Sequence, residues 1–119
     1  MSVLKKTIDI LKEDGTEVYM PSQHKGECIN EYIVVKMDGV IDVLDISSER
    51  PIYTIMCYVP YNQYSKLESF VCETKQKMKK MFPLLMFNKG SDTPSFYDDS
   101  KKAYMISFQY LNCRRVENW

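Results

Sequence analysis

The stretch Ser65–Phe82, SKLESFVCETKQKMKKMF, limits the possible folds more than any other part of the chain. Laid out at about 100° per residue, Leu67, Phe70, Val71, Thr74, Met78, Met81 and Phe82 share one stripe. Lys66, Ser69, Glu73, Gln76, Lys79 and Lys80 lie opposite, so the spacing predicts a helix that buries one face and wets the other. Ser65 followed three residues later by Glu68 has the form of a capping box. Glu68 and Glu73 in the first half and lysines in the second suit the helix dipole. Pro83 is expected to end the run. Such a helix needs a sheet or another helix to cover.

Partners for it are legible on both sides. Ile52–Val59, IYTIMCYV, is rich in β-branched and aromatic residues and apolar on both faces, which predicts a central strand covered on each side. Ala103–Leu111 alternates, with Tyr104, Ile106, Phe108 and Tyr110 on one face. Tyr32–Met37 reads as a strand, and Asp38-Gly39 as a hairpin turn returning through a short or edge strand, Val40–Ile46. Residues 47–51 read as a loop and Leu84–Phe87 as a further strand. At the front, Ser2 is placed to cap a helix through Glu13. Leu4, Ile8 and Leu11 form its stripe, widened by Val3, Thr7 and Ile10, with Gly15 as its stop. Residues 16–30 lose periodicity and read as a long loop. The expected fold is α+β: a mainly antiparallel sheet of four to five strands with two helices on one face, in a single domain spanning 1–119.

The totals remove several functions. Sixteen basic and sixteen acidic residues cancel, so no global field recruits nucleic acid or an anionic membrane. No apolar run approaches the ~20 residues of a membrane span, and the charged N-terminal stretch does not resemble a signal peptide, which predicts an intracellular product. Cys28, Cys57, Cys72 and Cys113 form no CxxC pair and His24 is the one histidine, so no metal site is expected. The thiols are expected to be free packing residues, with Cys72 off its helix's apolar stripe. Glycines at 15, 26, 39 and 90 make no phosphate loop, and no nucleophile elbow or zinc-helix motif is present. Adjacent Asp98 and Asp99 read as turn carboxylates, not as an acid–base pair. Neither catalysis nor a cofactor is expected. Nine tyrosines are an excess that suits interfaces, since Tyr buries area and keeps a polar tip.

The strings ISSERPIYTIMCYVPYNQYSKLESFVCETKQKMKKMFPLL and TPSFYDDSKKAYMISFQYLNCRRV resemble small proteins of the head–tail modules of phages and phage-tail-like particles of Gram-positive bacteria. The layout along nearly the whole chain is similar to the tail terminator, or tail completion, family. That resemblance implies a structural virion protein assembled in the bacterial cytoplasm. It would form a ring, commonly a hexamer, that caps the tail tube, stops its growth and offers a surface to the head or collar. Its partners would be copies of itself and the tail tube protein, with sheath and head connector beyond. Membranes and specific nucleic acid binding are not implied.

A head–tail joining or minor capsid protein is the alternative within the virion. A small α+β ligand-binding domain or enzyme is the alternative outside it. A ring builder needs two patches outside its core, and the chain leaves the 16–30 and 47–51 loops, the 88–102 arm and the C-terminal tail. Phe96, Tyr97, Asp98, Asp99, Lys101 and Lys102 of the arm are the first candidates, aromatics to anchor and mixed charges to set register. Arg114 and Arg115 are the second, able to clamp a neighbour's carboxylates.

Overall fold

A computed structural model describes residues 3–21, 28–42, 49–82 and 84–112, giving the backbone alone for 38–42, 49–51 and 112. In chain order these form α1 (Val3–Lys12), β1 (Glu17–Tyr19), β2 (Tyr32–Asp42), β3 (Glu49–Pro60), a 3-10 turn (Tyr61–Lys66) and α2 (Leu67–Met78). A second 3-10 turn (Lys79–Met81), β4 (Leu85–Phe87), β5 (Phe96–Asp98) and β6 (Ala103–Asn112) complete them. The sheet runs β1-β2-β3-β6-β4, with β5 also on β6, and only the β1/β2 pair is parallel. The expected α+β class and the two helices on one sheet face are observed. The six strands exceed the expected four to five by the short β1 and β5.

The core lies between the two helices and one face of that sheet. Ile33 and Val35 of β2, Tyr53, Ile55, Cys57 and Val59 of β3, and Phe108 and Tyr110 of β6 meet Leu67, Phe70, Val71, Met78 and Met81. Alternation along each strand puts these residues on one side, and the helical period supplies the matching stripe. Val3, Thr7 and Leu11 of α1 are buried, so its stripe is centred one residue away from the expected Leu4–Ile8–Leu11 line. The two buried helix threonines satisfy themselves: Thr7 Oγ1 donates to the Val3 carbonyl at 2.8 Å and Thr74 Oγ1 to the Phe70 carbonyl at 2.9 Å. Gly15, at φ 87°, stops the first helix, its N–H donating to the Lys12 carbonyl.

Lys77 ties the helices together. Its ammonium donates to Asp14 Oδ1 at 2.7 Å, to Thr16 Oγ1 at 3.0 Å and to the Leu11 carbonyl at 3.4 Å. The Asp14 carboxyl is lowered to about 2, chiefly by the Lys77 hydrogen bond and then by that of Thr16.

Four expectations need correction. The Ser65–Glu68 capping box does not form, because Ser65 lies inside the 3-10 turn and Lys66 precedes α2 with no side-chain cap. Phe82 leaves the stripe and is 67% exposed; its backbone is already extended, as steric pressure from the following proline favours. Asp38-Gly39 is not a hairpin turn: β2 continues to Asp42, with Val40 opposite Pro51 and Asp42 opposite Glu49. The register slips at Asp38, which becomes the extra residue of a bulge, so ten cross-strand pairs prevail over one local turn preference. Val40–Asp42 thus belong to β2 and Glu49–Pro51 to β3, while the rest of the expected return strand and loop falls outside the described residues. Finally, the 16–30 loop contains β1, pinned by buried Val18 and by Tyr19 meeting Tyr32 edge to face.

Among the described residues no helix covers the sheet's second face. Tyr32, Val34, Tyr58, Ala103, Met105 and Cys28 form a small second core there, with Tyr32 and Tyr58 stacked at 4.7 Å. The covering expected on both sides of β3 is therefore met by a helix layer on one side and a loop residue and aromatics on the other.

Candidate functional site

The arm at 88–102 does not project; it lies along the outer edge of β6. β4 pairs with the far end of β6 and β5 with the near end, and the segment between them bridges the gap. The Asn88 and Thr93 N–H groups donate to the Gln109 and Ser107 carbonyls. In return, the Ser107 and Gln109 N–H groups donate to the hydroxyls of Thr93 and Ser91 at 3.1 and 2.9 Å. Small hydroxyl residues thus replace a strand where Pro94 makes regular pairing unfavourable. Lys75 of α2 secures this segment from the helix side, bonding Asp92 at 2.6 Å and sitting 4.7 Å above the Phe87 ring.

The paired register sorts the candidate residues by face. Phe96 lies opposite Met105 on the helix-free face, and Tyr97 opposite Tyr104 on the helix face. Both are exposed, 47% for Phe96 and 41% for Tyr97. Asp98 is committed to the turn: its Oδ1 accepts from the Ser100 N–H at 3.1 Å and the Ser100 hydroxyl at 2.7 Å. Asp99 and Lys102 stand exposed 3.6 Å apart, and Lys102 takes φ 53° to close the turn. Lys101 turns the other way, half-buried, with its ammonium 5.9 Å from the Tyr58 ring centre and its carbonyl accepting from Cys28 N–H. Five of the six arm candidates therefore sit at one edge, and Lys101 faces the small second core. Arg114 and Arg115 lie outside the described residues, as does His24.

Two residues that the sequence reading did not select join this edge. Tyr64 packs on Tyr104 at 4.6 Å, Tyr97 also packs on Tyr104 at 5.3 Å, and the Tyr64 hydroxyl meets Ser95 Oγ at 2.9 Å. Tyr61, three residues earlier in the 3-10 turn, donates its N–H to the Lys102 carbonyl. Tyr61 is 60% exposed and Tyr64 51%. The result is an aromatic edge of Tyr61, Tyr64 and Tyr97 beside a turn with charges of both signs. For Tyr61 and Tyr64 the tyrosine excess was the only sequence signal. No family model and no curated protein matches the chain.

Elsewhere the described residues hold little reactive chemistry. Asp14, Glu17, Glu31 and Glu73 line a polar cleft at the end of α1, yet no three His, Cys, Asp or Glu side chains among the described residues are grouped to hold a metal ion. Cys57 is buried, its thiol pushed up to about 12 by desolvation, and burial likewise raises Cys28 to about 11. Cys72 is exposed, as its place off the stripe implied. No helix among the described residues is long and apolar enough to cross a membrane.

Proposed function

We propose that this protein is a structural ring builder of a phage-type tail: a tail terminator that caps the tube, stops its polymerisation and offers the joining surface to head or collar. What carries the reading is the aromatic edge, added to the resemblance in sequence and layout. Exposed tyrosines held by their neighbours are inexpensive anchors, because little side-chain freedom is lost on contact. The flanking Asp99 and Lys102 then set register rather than steer from a distance. The sheet's two edges are unlike. One is the β4/β5 side; on the other, β1 ends opposite Val34 while β2 runs on to Asp42. Contact between unlike edges is head-to-tail, and such contacts close into a ring when the rotation is right. In that role no catalysis is needed: one ring face matches the tube and the other refuses a further tube ring.

The test compares tails assembled with the wild-type chain, with Tyr61→Ser/Tyr97→Ser, and with Arg114→Ala/Arg115→Ala, after circular dichroism has shown that each variant is folded. Electron microscopy is expected to show capped tails of uniform length with the wild type and overlong, open tails with the tyrosine pair. Uniform capped tails with both folded variants would remove these surfaces from the interface. Wild-type protein found on the head connector and absent from tail ends would favour the head–tail joining alternative instead.

A further inference from the structure

A second surface stands apart from the aromatic edge and does not depend on the tail reading. β4 is the last strand on its side of the sheet, paired among the described residues with β6 alone. The Asn88 N–H donates to the Gln109 carbonyl, so the antiparallel alternation gives the next exchange with β6 to Met86 and Leu111. The main-chain N–H and C=O groups of Leu85 and Phe87 therefore point away from β6, along the free edge. Edge strands are commonly guarded against further pairing by a charge, a proline or a bulge. Leu85, Met86 and Phe87 supply none of these.

Between this strand and the end of α2 lies an open groove of about 530 Å³. Leu85, Phe87 and Tyr110 line it from the sheet, Met78 and Phe82 from the helix side. Phe82 and Met86 leave large apolar surface in water there. The charged lining is basic only. Lys75 is already paired with Asp92, whereas Lys79 is exposed and has no carboxylate partner among the described residues. A helix beside a free strand edge, with an apolar groove between them, suits an extended peptide that joins the sheet as one more strand. Main-chain bonds then give affinity, and alternate side chains enter the groove. The edge is ~10 Å long, enough for a short linear segment and far from the ~1,600 Å² of a stable interface between globules. A second copy presenting the same patch would bring lysine to lysine with no carboxylate between them.

We propose that β4 takes up an extended, acidic–apolar segment of another protein as an added strand. Its alternate apolar side chains fill the groove between β4 and α2, and its carboxylate faces Lys79.

The probe is a synthetic peptide of about six residues, the usual strand length, acetylated and amidated, alternating leucine with threonine and carrying an aspartate at each end. Added to the isotope-labelled full chain, it is expected to bind saturably, with NMR shifts confined to β4 and the end of α2. Amide exchange at Leu85 and Phe87 should slow several-fold, while Met86, already bonded to β6, changes little. The same peptide N-methylated on the residues that face β4 keeps its side chains and is expected to bind several-fold more weakly. Lys79→Glu, at an exposed position and checked by circular dichroism, should weaken the aspartate peptide and favour one with lysines at its ends. No binding at about 1 mM peptide, an affinity of only about −4 kcal/mol, overturns the proposal. So does equal binding of the N-methylated peptide, since the groove would then hold side chains without adding a strand. Leu85 and Phe87 amides protected before any peptide is added also overturn it, because the edge would already be occupied, by a second copy if the protection grows with concentration.

Discussion

Phe70 and Phe108 face each other's layers across the same core, yet truncating them should not cost the same. Phe108, in the middle of β6, is fully enclosed: Phe87 and Tyr110 lie 6.3 and 5.9 Å away ring to ring, and the Lys75 ammonium sits 5.0 Å above it. Phe70 is 7% exposed and forms part of the wall of the polar cleft that Asp14, Thr16 and Glu31 also line. Truncating a buried phenylalanine costs about 3–5 kcal/mol, the spread reflecting how far the site can relax. At position 70 the void opens toward that cleft, so water and neighbouring side chains can fill it, and a loss of about 3 kcal/mol is expected. At position 108 the void is closed and the Lys75 ammonium loses one of the two rings beneath it, which places the loss near about 5 kcal/mol. The larger loss is a third or more of the about 5–15 kcal/mol that holds a domain together, so the milder Phe108→Leu, expected to cost about 1–2 kcal/mol, extends the series. Urea unfolding at constant slope measures all three. A Phe70→Ala loss below about 1 kcal/mol, or one exceeding that of Phe108→Ala, would refute the packing argument.

Three further outcomes follow from the described contacts. Lys77→Met is expected to raise the Asp14 carboxyl from about 2 toward its ordinary 3.8, read by NMR titration. Because the folded value is lowered, the contribution of this pair is complete above about pH 4 and fades as pH falls toward 2. With Asp14 largely exposed it should amount to less than about 1 kcal/mol. Under native alkylation near pH 8, peptide mapping should find Cys72 modified well before Cys28 and Cys57, whose thiols burial holds at about 11 and 12. At the arm's turn Lys102→Gly should be neutral or slightly stabilising in thermal unfolding, whereas Lys102→Val should cost about 1–2 kcal/mol at a φ of 53°.

How much of this was legible depended on whether one periodicity governed a segment. Leu67, Phe70, Val71, Thr74, Met78 and Met81 are all buried, because a helix over a sheet has a single wet side and the pattern repeats for four turns. β6 was equally clear by the alternation of Tyr104, Ile106, Phe108 and Tyr110, and β3 by its β-branched and aromatic residues on both faces. Asp38-Gly39 misled because a dipeptide reports local turn preference only, while the long register between β2 and β3 was set by residues far apart in sequence. β1 was missed because three residues are too few to show a period; Val18 is buried by α1, not by anything visible in its own neighbours. At the candidate edge Phe96 and Tyr97 were visible as aromatics in a polar stretch. Tyr61 and Tyr64 were not, because contacts distant in sequence bring the 3-10 turn to β5: the hydrogen bond from Tyr61 to Lys102, that of Tyr64 with Ser95, and the packing of Tyr64 on Tyr104.

The central claim is that the edge formed by Tyr61, Tyr64 and Tyr97 joins copies of this chain into a closed ring. Light scattering across a concentration series tests it most directly, with the wild type and the folded Tyr61→Ser/Tyr97→Ser variant side by side. The account predicts that the wild type climbs to a plateau near about six chain masses and goes no further, as a closed ring requires, while the variant stays at one. A wild-type protein that holds the mass of a single chain at every concentration would contradict it, as would a variant that reaches the same plateau.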